Sequence, residues 1–249
     1  RGQSMATETG FLVRTVTFGD TAYLYQVYLP PDYTSDRRWP VILFLHGAGE
    51  RGDDGLIQTK VGIGNAIRQY RDRFPCLVVL PQCRPELGWT GAMEEQALQA
   101  LEETVHDFNG DRKRIYLTGL SLGGCGTWAI ALRHPGRFAA IIPVCGWIAA
   151  PHTDMTLENA GFWGRLNPYA THAEPFTAAA EQLGDTPTWV FHGDADEVVT
   201  VEESRRMVAA MEAGAGNVRY TEYPEVGHNS WDNAYAEPDL MPWLLAWKS

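Results

Sequence analysis

The chain has 249 residues, 31 Asp and Glu against 20 Lys and Arg, and a net charge of −11. That length suits one large α/β domain or two small ones. The acidic balance argues against nucleic acid or an anionic membrane as partner, since both reward clustered Lys and Arg, and no apolar run reaches the ~20 residues of a spanning helix.

The chain opens Arg1-Gly2-Gln3-Ser4, with no methionine and no signal-peptide pattern. Residues 1–10 are expected to be a disordered, processed or tagged start. The sequence leaves the cellular address open; a secreted or extracellular protein whose targeting segment is missing from this sequence is one reading of it. Phe11 to Phe18 and Ala22 to Leu29 are rich in aromatic and β-branched residues, with Gly19-Asp20 between them. That reads as an antiparallel hairpin. Val41 to Leu45 and Cys76 to Leu80 are continuous apolar runs, as in strands buried on both faces. A glycine-rich loop between them leads to a helix near Asn65 to Arg71.

Met93 to Phe108 carries apolar residues at helical spacing: Ala97, Leu98, Leu101, Val105 and Phe108. Strands follow at Arg114 to Thr118, Phe138 to Val144, Thr188 to Phe191 and Val218 to Tyr223. Helices are expected at Gly124 to Arg133, Glu174 to Leu183, Val201 to Ala213 and Pro238 to Trp247, with Gly184 stopping the second. Strands alternating with helices imply a mostly parallel sheet with helices on both faces. The chain shows no repeat or linker, so residues 1–249 are expected to form one catalytic domain. Residues 148–172, rich in Gly, Pro, Asn and Trp, read as a small insertion near the site. Cys76, Cys83, Cys125 and Cys145 lack C-x-x-C spacing, and their apolar settings fit buried free thiols.

Gly119-Leu120-Ser121-Leu122-Gly123 stands between a strand and a helix. In that context G-x-S-x-G is a nucleophile elbow: a tight turn that needs glycine on both sides and pushes the serine out at the sheet edge. A serine hydroxyl needs a base, and the base needs an acid to fix its tautomer. On this topology the order is Ser, acid, His. His228, after the last strand, is the expected base. Asp194 and Asp196 both follow the strand Thr188 to Phe191. Asp196 is preferred, because it lies further into the loop and can reach over the sheet edge, leaving Asp194 to brace the turn. The oxyanion needs two N–H donors. Leu122 follows the nucleophile and supplies one. Ala48, in His46-Gly47-Ala48-Gly49-Glu50-Arg51-Gly52, is the second, with Gly47 as the alternative. His46 and His192 read as braces of their loops. Glu50 and Arg51 read equally as ion-paired braces or exposed charges. Trp89 and Trp231 are expected to bind substrate, and Trp147 and Trp163 to pack. The chemistry requires no cofactor and no metal.

The segment Pro40 to Gly52 resembles the oxyanion segment of α/β-hydrolase carboxylesterases. The similar branch holds phospholipase/carboxylesterase-like, polyhydroxybutyrate depolymerase-like and feruloyl esterase-like enzymes. Pro81-Gln82-Cys83, Arg114 to Gly124, His192 to Asp196 with Val198-Val199, and Gly227-His228-Asn229-Ser230-Trp231 extend the resemblance from about residue 41 to the end. It implies an α/β-hydrolase fold and supports Asp196 and Ala48 in their roles. The expected activity is serine carboxylesterase action on short-chain or aryl esters, small molecules as partners. Feruloyl ester hydrolysis on plant polysaccharide is the alternative. Relatives labelled prolyl-oligopeptidase-like make peptidase action a further one, although this chain lacks room for their propeller domain.

Overall fold

The computed structural model describes residues 8–152 and 161–249. Strands β1 (Gly10–Phe18) and β2 (Thr21–Leu29) form the expected hairpin, turning at Gly19 with φ +59°. Of the expected disordered start, residues 1–7 lie outside the described residues, and Gly10 already belongs to β1. Next come β3 (Trp39–Leu45), α1 (Ile63–Gln69), β4 (Leu77–Pro81), α2 (Ala92–Asp107) and β5 (Gly110–Leu120). Then follow α3 (Leu122–Arg133), β6 (Ala140–Val144), α4 (Gly161–Gly164), α5 (Pro175–Leu183) and β7 (Thr188–Gly193). The chain continues with α6 (Glu202–Ala213), β8 (Val218–Tyr223), α7 (Trp231–Ala236) and α8 (Leu240–Leu245).

The eight strands form one sheet in the order β1-β2-β4-β3-β5-β6-β7-β8. The β1–β2 and β2–β4 pairs are antiparallel, and every other pair is parallel. This is the mostly parallel α/β sheet expected from the sequence. Residues alternate between its faces with period two. Val41, Leu43 and Leu45 join a core with Leu101 of α2, Trp128 of α3, Phe176 of α5 and Met207 of α6. Ile42 and Phe44, between them, join the opposite core with Ile67 of α1, Tyr235 of α7 and Leu244 of α8. Both faces are therefore covered, which explains why the central strands read as unbroken apolar runs.

The carboxyl ends of the parallel strands share one rim. The loops after β3, β5, β7 and β8 meet there. Among the described residues no helix is long and apolar enough to cross a membrane. All four cysteines are buried and free.

Candidate active site

The turn from β5 to α3 is closed by backbone contact. A Cβ on Gly119 would stand 2.3 Å from the Gly123 oxygen, and one on Gly123 would stand 1.9 Å from the Leu45 oxygen. Glycine is required at both positions. Ser121 between them takes φ +54°, a left-handed conformation that L residues rarely adopt. Its N–H donates to the Val144 oxygen at 2.9 Å, fastening the strained turn to β6.

Ser121 Oγ is 2.9 Å from His228 Nε2, and His228 Nδ1 is 2.8 Å from Asp196 Oδ2. Because Nδ1 faces a carboxylate it carries the proton, which leaves Nε2 free to accept from the hydroxyl. The Asp196 side chain is fully buried. Its Oδ1 accepts the N–H groups of Val198 at 2.8 Å and Val199 at 2.9 Å. Its Oδ2 accepts from a second imidazole, His192 Nε2, at 3.1 Å. Burial alone would raise the pKa of this carboxyl. Hydrogen bonds from His192, His228 and the Val199 N–H outweigh it and hold the group well below the ordinary carboxylate range. Asp194 does not face the imidazole. Its Oδ1 accepts the Glu225 N–H at 2.7 Å and braces the loop that carries His228.

His192 Nε2 also donates to the Val199 oxygen at 3.0 Å, and its Nδ1 lies 2.7 Å from Ser204 Oγ. Two acceptors at Nε2 put the proton there, so Nδ1 accepts the Ser204 hydroxyl proton. The brace read from the sequence thus reaches the carboxylate itself. The Sγ of Cys145 lies within 4.8 Å of ligand atoms of Asp196 and His228. Burial raises its pKa and keeps it a neutral thiol.

The loop after β3, the expected oxyanion segment, is held from several sides. His46 Nδ1 donates to the Gly47 oxygen at 2.6 Å, and Nε2 accepts the Cys83 N–H at 2.9 Å. Glu50 accepts the Gly47 N–H at 3.0 Å, and Arg51 donates to the Ala48 oxygen at 3.0 Å. Both charges brace the loop through backbone groups and form no ion pair with each other. The Gly47 N–H is thereby occupied. Ala48 begins a short 3-10 turn and Leu122 begins α3, positions at which helical bonding supplies no acceptor for the N–H.

A cavity of about 300 Å³ opens at Ser121, lined by Ala48, Trp147, Pro151, Trp163, Val198 and Val199 among others. The two expected substrate tryptophans do not line it. Trp89 is 1% exposed and packs edge-on against His46, with its indole N–H donating to the His46 oxygen at 3.1 Å. It supports the oxyanion loop from below. Trp231 stands edge-on to His228 with ring centroids 5.4 Å apart, outside the cavity wall. Trp147 and Trp163 form the wall instead, joined by a bond from the Trp147 indole to the Trp163 oxygen at 3.0 Å. The segment read as an insertion, 148–172, therefore borders the cavity through Pro151, His152 and Trp163, while 153–160 lies outside the described residues.

An uncharacterized secreted protein of Arthroderma benhamiae is 24% identical over 219 residues, covering 81% of this chain and 22% of that protein. A thermostable esterase superposes with TM-score 0.73 and 31% identity, over 96% of this chain and 63% of that one. The chain thus spans under a quarter of the fungal relative and under two thirds of the esterase. A ferulic acid esterase superposes with TM-score 0.76 at 16% identity, over 96% of this chain and 99% of that one. The fold is the one these esterases share. The model for the prolyl oligopeptidase family matches residues 88–248, taking in the elbow, the acid loop and the histidine loop, and the chain belongs to that family.

Proposed function

We propose that this protein is a serine carboxylester hydrolase acting on short-chain or aryl esters. The observation that carries the reading is the unbroken relay Ser121–His228–Asp196, with contacts of 2.9 and 2.8 Å. Ser121 Oγ attacks the ester carbonyl while His228 Nε2 takes its proton. The tetrahedral oxyanion is held by the Ala48 and Leu122 N–H groups. His228 then passes the proton to the leaving alkoxide, releasing the alcohol. Water attacks the acyl-enzyme with His228 again as base, and the acid leaves as Ser121 is restored. Asp196 orients the imidazole and stabilises its charged form.

The cavity supports the substrate class. At about 300 Å³ it stands at the lower end of the ~300–1,000 Å³ typical of small-molecule sites. Two indoles, a proline and two valines in its wall favour a compact apolar or aromatic group over a long chain. Feruloyl esters are the aryl substrates of choice, a reading the superposed ferulic acid esterase supports at the level of fold. The fungal relative's description as secreted supports an extracellular setting. Family membership favours one competing reading, peptide hydrolysis by the same triad.

Initial rates on p-nitrophenyl esters from acetate to palmitate, beside methyl ferulate and a proline-containing peptide anilide, separate the classes. Acetate, butyrate or methyl ferulate should lead. A preference for palmitate or for the anilide would overturn the reading. A fluorophosphonate should label Ser121, and Ser121→Ala should lose roughly 10⁴–10⁶ in kcat.

A further inference from the structure

One wall of the Ser121 cavity is held by a carboxylate outside the triad. Glu203, in the first turn of α6, is 5% exposed. Its Oε2 accepts the Ile148 N–H at 2.7 Å and the Ala149 N–H at 3.0 Å, and its Oε1 accepts the Ala150 N–H at 3.3 Å. Three consecutive amides thus wrap one anion, as backbone nests do around bound anions. The Thr200 N–H adds a bond to the Pro151 oxygen at 2.8 Å. Trp147 immediately precedes the clamped triplet, and Pro151 and His152 immediately follow it. All three line the cavity. The next residue of the same turn, Ser204, bonds His192 and through it Asp196.

We infer that Glu203 is a specificity-determining positioning residue, which fixes the wall formed by residues 147–152 so that the cavity accepts a ring-bearing acyl group. The inference rests on the ester-hydrolase reading of the site. An acetyl group needs only the elbow and the oxyanion donors, which Glu203 does not touch. A hydroxycinnamoyl group needs the indole wall as well. A glutamine in place of Glu203 keeps one acceptor oxygen but sets an NH2 where the other stood, so the amides of Ile148, Ala149 and Ala150 lose the anion they wrap and at least one of them loses its acceptor. The loop relieves this by turning them toward water, which displaces Trp147 and breaks its bond to the Trp163 oxygen. The carboxyl's own state fits the assignment: burial raises its pKa, and the amides of Ala149, Ile148 and Ala150 oppose that rise.

Two readouts test it in the full chain. The first is the ratio of kcat/KM for methyl ferulate to that for p-nitrophenyl acetate. The second is the affinity of methyl ferulate for Ser121→Ala protein, followed by tryptophan fluorescence. Glu203→Gln should lower the ratio at least tenfold, chiefly through KM for methyl ferulate, and weaken binding in the Ser121→Ala background by a similar factor. Glu203→Asp keeps the charge but draws it back by one methylene. It should move both readouts the same way to a smaller extent, and it serves where the glutamine variant does not fold. Equal losses on both esters, or an unchanged ratio and affinity, would overturn the inference. Inactivity of the wild type on every ester would instead refute the hydrolase reading, and the binding measurement would still decide the role of Glu203.

Discussion

His46 braces the oxyanion loop only while it is neutral, because its Nε2 must accept the Cys83 N–H. Burial lowers its pKa from 6.5 to about 4, partly offset by the bond to the Gly47 oxygen. Between those values the unfolded chain binds more protons than the folded one, so stability falls as pH drops through that window. The loss is of order 3 kcal/mol when fully developed. Urea midpoints at pH 7 and pH 4.5 should differ clearly more for the wild type than for His46→Gln. Equal differences would show that His46 does not titrate as argued. The comparison between proteins matters, since the carboxyls of Glu50 and Glu203, raised by burial, contribute with the opposite sign. His192 acts on the chemistry more directly. His192→Phe removes one charge-assisted donor from Asp196, an interaction worth ~1.5–3 kcal/mol, and should cost roughly ten- to a hundredfold in kcat. A carboxylate relieved of that donor holds the His228 proton more firmly, so the acid limb of kcat/KM should move to higher pH. A loss in kcat with an unmoved limb would make His192 structural only.

At the scale of elements, the elbow depends on two strands and a helix approaching within backbone contact. Gly123→Ala sets a Cβ against the Leu45 oxygen, where no side chain can yield. It should destabilise by at least the ~1–3 kcal/mol of an overpacked core. Gly49→Ala, with nothing within 4 Å of the added atom, should leave the melting temperature unchanged. Similar melting temperatures for the two variants would mean that the elbow relaxes at little cost. The elbow was legible in the sequence because its constraint is local: a strand, two glycines and a helix within a few residues. The hairpin was legible for the same reason, whereas the contact of Asp196 with His228 joins loops 32 positions apart and needs the sheet to bring them together. The C-terminal helices were less legible than the hairpin. Pro238 to Trp247 reads as a helix and contains α8 (Leu240–Leu245), whereas α7 (Trp231–Ala236), just before it, has no counterpart in that reading. A helix of six residues is too short to show periodicity. Its one local signal is the reciprocal pair at its entry, where Asn229 Oδ1 accepts the Asp232 N–H and Asn229 Nδ2 donates to the Asp232 carboxylate. The placement of Trp89 and Trp231 outside the cavity wall was not legible, because an indole's direction is set by tertiary packing. Trp89 follows a strand that ends near the site, yet its ring turns inward beneath His46. Glu203 reads in sequence as an ordinary acidic residue in a first helical turn, and only the fold brings residues 148–150 to it.

At the scale of the molecule, the relay joins residues that are distant in the chain. Ser121 and His228 are 107 positions apart, and His228 and Asp196 are 32 apart. Their separations are bridged by four adjacent strands, β5-β6-β7-β8, whose carboxyl ends present the loops side by side. The same strands carry both hydrophobic cores, so neither helical layer can leave without exposing the sheet that aligns the relay. The loop bearing Trp147 is tied to α6 by Glu203, and α6 packs its Met207 into the core of the first face. The whole chain should therefore unfold as one cooperative unit. In a urea titration, hydrolysis of p-nitrophenyl acetate and the far-UV circular dichroism signal should be lost with coincident midpoints. Activity lost well before the circular dichroism signal would show that the rim opens independently of the sheet. Two resolved steps in the circular dichroism itself would divide the chain into separately folding parts.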